Sequence, residues 1–427
     1  VDLSPKAARA EIDSLLGFIR DRPQPIKVRA FNPSPEVHGY GSPGAVVEIN
    51  VDDSPLLVDS ATAELQTHEL DVLRVLHPVI GAVRDADGRL EAILPASGAD
   101  HRESVQHYVL DRRLDESEIP GIEERLRVVL SDVSLAVNDF DAMVAVTDRM
   151  IRFIESGQDH YPATDVKEAI AFMHWLCQDN FVFLGYREYE LVKSEDAAAI
   201  RVKPETGLGI LSDPDRSKAS EPLPLQELAP ELRARYESGD LLVISKTNRR
   251  STVHRRAKMD YVGVRLVDEN GTSVGEARLV GLFTSKAYME SVARIPILRQ
   301  KLAAVEASED LIAGSHDQKA IVSLVESFPK DELFALPVED LRRVVMGLLA
   351  LQERARVRLF VRRDLLDRGV RILVAMPRDR YSADLRRKLQ KLFMERFKGT
   401  ASDYHLSLGR SDIARRQFSV WGPGGQG

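Results

Sequence analysis

Apolar residues recur along this chain in two rhythms, and the switches between them mark out its elements. Near the middle, Tyr261 to Val267 and Ala277 to Phe283 alternate with period two and are rich in β-branched residues. Asp268-Glu269-Asn270-Gly271 lies between them, and Asn-Gly accepts positive φ cheaply, so the pair predicts a hairpin. An isolated hairpin is marginal in water, so this ribbon needs a larger sheet. Thr284 and Ser285 then cap a short helix, and a longer one follows Pro296.

The same patterning organises the rest. Val1 to Arg20 places Ala8, Ile12, Leu15 and Leu16 at helical spacing, and the proline-rich stretch Pro23 to Pro43 reads as a linker with one strand, giving a helix-and-linker piece over 1–44. A first module spans 45–155. Val46 to Val51 is a strand, Ser54 an N-cap and Pro55 the first helical residue, with Leu57, Ala61, Leu65 and His68 on one helix face. Val72 to Val83 is extended, Asp87-Gly88 turns it into Leu90 to Leu94, and Val105 to Leu110 is a further strand. Ile122, Leu126, Val129, Val133 and Val137 then mark an amphipathic helix. A second module spans 161–312. It has a helix capped by Thr164 and carrying Val166, Ile170, Met173 and Cys177, a strand from Phe181 to Leu191, a broken polar stretch from Ser194 to Pro224, a helix from Leu228 to Glu237, and the hairpin. A third spans 313–421. Ser315-His316-Asp317-Gln318 is a capping box, and Leu341, Val344, Val345, Leu348 and Leu351 mark a second helix. Strands Val357 to Val361 and Ile372 to Met376, a helix from Ser382, and strands Tyr404 to Leu408 and Gln417 to Trp421 complete it. This predicts an α+β fold: several ferredoxin-like modules, antiparallel-rich sheets with helices packed on one face. Residues 422–427 read as a linker cut short.

Several long strings carry a family resemblance. Gly275 to Tyr288 (GEARLVGLFTSKAY), Ile295-Pro296-Ile297-Leu298-Arg299, Ser315 to Lys319 (SHDQK) and Val374 to Tyr381 (VAMPRDRY) resemble the N-terminal regulatory half of the large bacterial NAD-specific glutamate dehydrogenases. The resemblance covers about Ala45 to Val420. It implies modules of ACT type (βαββαβ), a C-terminal catalytic domain in the same polypeptide, NAD as cofactor of the full-length enzyme with none in this segment, assembly into a homo-oligomer, and a free amino acid as effector.

Composition bounds the function. Net charge is -7, with 44% hydrophobic and 29% charged residues, and no apolar run is long enough to span a bilayer. The single cysteine, Cys177, reads as a small buried hydrophobe and fits a cytoplasmic protein. No H-E-x-x-H, C-x-x-C or Walker A sequence occurs, so neither a catalytic set nor a metal site is expected. Gly271-Thr272-Ser273-Val274-Gly275 matches the nucleophile-elbow pattern but sits at a hairpin tip, and Gly207-Leu208-Gly209 is half a dinucleotide fingerprint in a broken segment. Lys246 to Lys258 and Arg354 to Lys398 are basic. A nucleic-acid surface is one reading; solvated faces, or docking on an acidic part of the same polypeptide, is the other, and the scarcity of interleaved aromatics favours it.

The ligand candidate is the strand-to-helix turn with Asp53, Ser54, Leu56 and Asp59. Amides at a helix N-terminus favour an anion such as an amino-acid carboxylate, and an Asp in the loop could hold the ammonium. The resemblance places effectors at this turn, although Leu56 stands where the common Asp-x-Pro-Gly pattern has Gly. The alternative is an ordinary helix start in which Asp53 and Ser54 satisfy the orphan amides. At the level of function the alternatives are a structural scaffold without ligand, or a nucleic-acid-binding protein.

Overall fold

A computed structural model describes residues 4–193, 198–213, 222–227, 239–308, 314–352, 356–363, 369–408 and 413–421. The helix expected over Leu228 to Glu237 and the linker expected over 422–427 lie outside these. The chain forms two compact units: residues 1–140 with 250–257, and residues 141–249 with 258–427. Among the described residues, no helix is long and apolar enough to cross a membrane.

The first unit is built on a six-stranded antiparallel sheet, with β1 (Ile26–Phe31), β2 (Val46–Asp52), β6 (Arg102–Leu110), β4 (Val79–Arg84) and β5 (Leu90–Pro95) in that order, and β3 (Val72–Leu76) also paired to β6. The stretch expected to be a linker with one strand supplies β1, which pairs with β2 along its length, and a short helix α2 (Pro35–His38). The single extended segment expected over Val72 to Val83 is instead two strands, because Pro78 cannot donate to a ladder. Alternation on β2 sorts the two faces. Val47, Ile49 and Val51 are buried with the apolar stripes of α3 (Leu57–Thr67) and α4 (Ile119–Asn138). Glu48, Asn50 and Asp52 point the other way, where α1 (Pro5–Ile19) lies with Phe18 and Ile19 against Val105.

The second unit holds a sheet of β10 (Leu242–Arg250), β11 (Lys258–Val267), β12 (Ser273–Phe283), β7 (Phe181–Lys193), β8 (Ala198–Gly209) and β9 (Leu223–Pro224), in that order. The Asn270-Gly271 hairpin forms between β11 and β12, with Gly271 at φ +76°. Helices α5 (Phe140–Ser156), α6 (Ala163–Trp175), α7 (Ser285–Met289), α8 (Leu298–Ala307), α9 (His316–Glu326), α10 (Lys330–Ala335) and α11 (Val338–Gln352) follow in sequence. One apolar cluster joins Met150, Phe172, Leu279, Phe283, Leu302, Val325, Val345 and Ala375. The unit ends in a four-stranded sheet, β13 (Arg358–Arg363), β14 (Gly369–Pro377), β16 (Ile413–Trp421) and β15 (Ala401–Leu408). Helix α12 (Ala383–Arg396) covers Ile372, Val374, Met376 and Phe418 on one face, and Leu373, Ala375 and Phe360 of the other face meet the α8–α11 cluster. Cys177, expected buried, is exposed: α6 ends at Trp175 and the chain widens through residues 176–180, with Asp179 at φ +58°.

Candidate functional site

The turn between β2 and α3 is where the sequence placed a ligand, and its geometry departs from an ordinary helix start. Asp53 donates its amide to the Arg102 carbonyl at 2.9 Å, extending the β2–β6 ladder by one rung. The chain then turns through Pro55 and Leu56, and α3 begins only at Leu57. Leu56 occupies the N-cap with φ +70°, in the left-handed region, and no side chain caps the helix. The expected cap at Ser54, with Pro55 at the first helical position, is therefore overturned. A left-handed residue between Ser54 and the helix carries that hydroxyl away from the first-turn amides it would have to reach. Leu56 stands in the conformation that glycine adopts without steric cost, which is the residue missing from the Asp-x-Pro-Gly pattern.

Asp53 and Ser54 flank this open helix end half-buried, and Asp59 lies in the first turn of α3 on the exposed side. Asp59 Oδ2 lies 3.2 Å from His254 Nδ1. Ser60 donates its hydroxyl to the Leu56 carbonyl at 2.6 Å and accepts the His254 amide at 2.8 Å. Next along, Glu64 is 3.6 Å from Arg256 and 3.2 Å from Arg125, and Thr252 donates to Asp132 of α4 at 2.7 Å. Residues 250–257 thus run along α3 and α4 as a strap, His254 at φ +67°. The structure brings Asp53, Ser54 and Leu56 together at the turn and assigns Asp59 to the strap. Sequence reasoning missed Ser60, His254 and Arg256. The signal was the acid-free basic run from Lys246 to Lys258, whose docking on an acidic part of the same polypeptide is what Arg256 and Glu64 make.

The face of this sheet beneath α1 is ionic. Glu48 is paired with Arg29 and lies 3.1 Å from His107, whose Nε2 is 2.7 Å from Glu11 of α1; Glu11 in turn pairs with Arg74. Asp52, His101 and Glu103 bring three ligand-type atoms within 4.8 Å of one another, the one such group among the described residues. It fits a metal poorly. Arg22 sits 2.6 Å from Asp52 and 3.2 Å from Glu103, and Arg84 lies 2.6 Å from Glu103. Burial raises the Glu103 pKa, and hydrogen bonds from Arg84 and Asn50 with the charge of Arg22 more than offset it, leaving it lowered. Two guanidinium groups already supply the positive charge a cation would bring.

The corresponding step of the last sheet is closed. After β14, residues 378–380 form a single turn and α12 starts with Ser382, whose hydroxyl accepts the Leu385 amide at 3.1 Å. On the opposite face Glu332 of α10 is buried between Arg362 and Arg371 and accepts from Gln417 at 2.7 Å. Lys301 of α8 donates to the carbonyls of Leu333, Phe334 and Leu336 at 2.7–2.9 Å, capping the C-terminal end of α10. Gly207-Leu208-Gly209 lies within β8 rather than at a strand-to-helix turn, so it cannot present helix amides to a pyrophosphate, and these residues do not fit NAD.

Comparison with known proteins places these features. Residues 2–126 match the family described as glutamate dehydrogenase, ACT1 domain; residues 295–354 match glutamate dehydrogenase, helical motif 1; residues 358–426 match glutamate dehydrogenase, ACT2 domain. The NAD-specific glutamate dehydrogenase of Halomonas elongata is 33% identical over 404 residues, 93% of this chain and 25% of the relative. That of Pseudomonas aeruginosa is 32% identical over 404 residues, 94% of this chain and 25% of its own length. That of Mycobacterium tuberculosis is 26% identical over 386 residues, 88% and 22% respectively. The chain spans about a quarter of the length of these curated relatives.

Proposed function

The chain belongs to the glutamate dehydrogenase family, over the region that carries its ACT1 domain, helical motif 1 and ACT2 domain, and from that premise we propose that it is the regulatory and subunit-assembling segment of an NAD-dependent enzyme. That enzyme converts glutamate and NAD to 2-oxoglutarate, ammonium and NADH, on a catalytic domain elsewhere in the polypeptide. The observation that carries the regulatory part is the uncapped start of α3, with Leu56 left-handed and Asp53 beside it. A free amino acid fits there: its carboxylate accepts from the first-turn amides and its ammonium meets Asp53. The strap ties that helix, through Ser60 and His254, to residues continuous in sequence with β10 and β11. An effector that favours one placement of the strap would shift the populations of two arrangements.

A purely structural role is the second reading. It draws on exposed apolar side chains of β3 and β5, namely Leu73, Val75, Leu76, Ile93 and Leu94, which suit contacts between copies of the chain. Thermal unfolding of the chain against a panel of free amino acids separates the two. The regulatory reading expects one amino acid to raise the midpoint selectively, by about 2.7 kcal/mol at a hundredfold excess over its dissociation constant. Asp53→Ala abolishes that rise while leaving the unliganded midpoint in place. A flat panel on the folded chain favours the scaffold.

A further inference from the structure

The edge of the last sheet carries a feature that neither regulation at the α3 turn nor the family assignment uses. Strand β13 ends the order β13-β14-β16-β15, so one side of it has no ladder partner among the described residues. A groove of about 860 Å³ runs between this edge and α11, with Arg342, Arg343 and Met346 on the helix and Leu359, Phe360 and Val361 on the strand. Leu359 and Val361 pair with Val374 and Ile372, so they stand on the face that α12 covers. Helix α12 packs over β15 and β16 instead of β13, which leaves Leu359 and Val361 51% and 42% exposed. Phe360 points to the other face, toward α11. Gly347 keeps that approach close, since a Cβ there would meet the Phe360 ring at 2.6 Å.

An exposed apolar edge strand invites pairing, and its own charges limit what can pair. The strand reads Arg358-Leu359-Phe360-Val361-Arg362-Arg363, with no acid. A twofold antiparallel pairing with a second copy, centred between Phe360 and Val361, would set Arg358 opposite Arg363 twice, and like charges directly opposite are destabilising. The rim adds Arg342 and Arg343, which reach Glu339 at 3.0 Å and Asp340 at 2.7 Å and whose side chains are 38% and 62% exposed.

We propose that β13 receives an extended segment in which acidic and apolar residues alternate, added as a fifth strand of this sheet. Its backbone completes the free ladder edge. Its acidic side chains turn toward Arg342 and Arg343 over α11, and its apolar ones continue the strip of Leu359 and Val361. Strand addition of this kind draws affinity from main-chain hydrogen bonds and specificity from alternate side chains.

The test uses the whole 427-residue chain and a fluorescent, end-blocked peptide of alternating valine and glutamate, followed by anisotropy. Saturable binding that weakens as salt is raised is the expected result. The peptide with lysine in place of glutamate does not bind, and neither does one N-methylated along the backbone edge. Leu359→Glu with Val361→Glu, both on exposed positions, weakens binding by about tenfold without moving the unfolding midpoint, and Arg343→Glu weakens it by a smaller factor. Equal binding of the acidic and lysine peptides overturns the proposal, as does no binding of either. So does a dimer of the chain that the double variant dissociates, because the edge would then belong to a second copy.

Discussion

Helix α3 of the first sheet begins with no side-chain cap and with Leu56 left-handed, whereas α12 of the last sheet, at the same strand-to-helix step, begins with Ser382 bonded to the Leu385 amide. The faces opposite these helices differ as well. The first sheet buries Glu48 and Glu103 and receives Glu11 from α1, with Arg29, Arg74, Arg22 and Arg84 around them. The last sheet supplies the cations itself, Arg362 and Arg371, and receives one acid, Glu332, from α10. Both are antiparallel sheets with an ionic face closed by a helix. They differ in that the first sheet carries both signs itself and its helix adds one more acid, whereas in the last sheet the helix brings the acid to arginines of the sheet, and in whether the helix that follows the second strand starts with a side-chain cap. An ionic sheet face is thus tolerable where opposite charges meet across it, and the two helix starts differ in their capping rather than in the strand-to-helix step that leads to them.

The largest expected effect tests the charge contrast. Glu332→Gln removes the acid shared by two arginines whose side chains are only 14% and 12% exposed, so it should cost about 3–5 kcal/mol in urea unfolding. Glu48→Gln should cost less, about 1–3 kcal/mol, because Arg29 keeps 35% of its side chain in solvent and the neighbouring Glu11 remains. Equal costs would break the contrast. The pH dependence follows the same acid. Burial raises the Glu332 pKa, and Arg371 and Arg362 outweigh it, so the folded value is lowered. A lowered folded pKa means the contribution is present above the unfolded value near about 4.3 and lost as pH falls through the folded one. The stability gap between wild type and Glu332→Gln should therefore shrink on acidification, read from urea midpoints across that range.

Much of this organisation is legible in the sequence, for identifiable reasons. The period-two runs around Asn270-Gly271 form the hairpin, and Thr284, Ser315 and Ser382 all cap the helices expected to follow them, because cap chemistry is local, whereas the cap expected at Thr164 is not made: α6 starts at Ala163 after Pro162 with no side-chain cap. Ser54 failed, since a left-handed Leu leaves no mark in composition and displaces the helix start. Glu48, Asn50 and His107 alternate with apolar residues in the manner of a solvent face, yet are buried beneath α1, which tertiary packing alone decides. The approach of His254 to Asp59 joins residues 195 apart. At the candidate site, Asp53 and Leu56 could be named from the pattern, but the strap showed only as an acid-free basic run, and nothing local in it names Ser60 as its contact.

A middle-sized effect tests the turns. Ser382→Ala should cost about 1 kcal/mol, because it leaves a first-turn amide of α12 unsatisfied. Ser54→Ala should stay within about 0.5 kcal/mol, as a substitution away from such features does, because that side chain caps nothing. Chemical denaturation of the two variants reads the difference directly. A loss at Ser54 as large as that at Ser382 would mean that the α3 turn is filled by its own hydroxyl, and the case for an open site would fall with it.

The smallest effect isolates the backbone of Leu56. Ala at this position keeps the left-handed cost and loses the side chain, whereas Gly loses the same side chain and removes the cost. Gly also gains freedom in the unfolded chain, which offsets part of the benefit. The left-handed penalty of about 1–2 kcal/mol exceeds that offset of about 0.4–1 kcal/mol, so Leu56→Gly should be more stable than Leu56→Ala by about 0.5–1 kcal/mol. This reverses the ordinary order inside helices, where Ala is favoured over Gly. The pair is compared by thermal and urea unfolding of the same chain. Finding Ala the more stable would mean that the turn relaxes to a conventional helix start once the leucine side chain is gone, and that Leu56's packing, rather than the path of the strand into the helix, holds the end of α3 open.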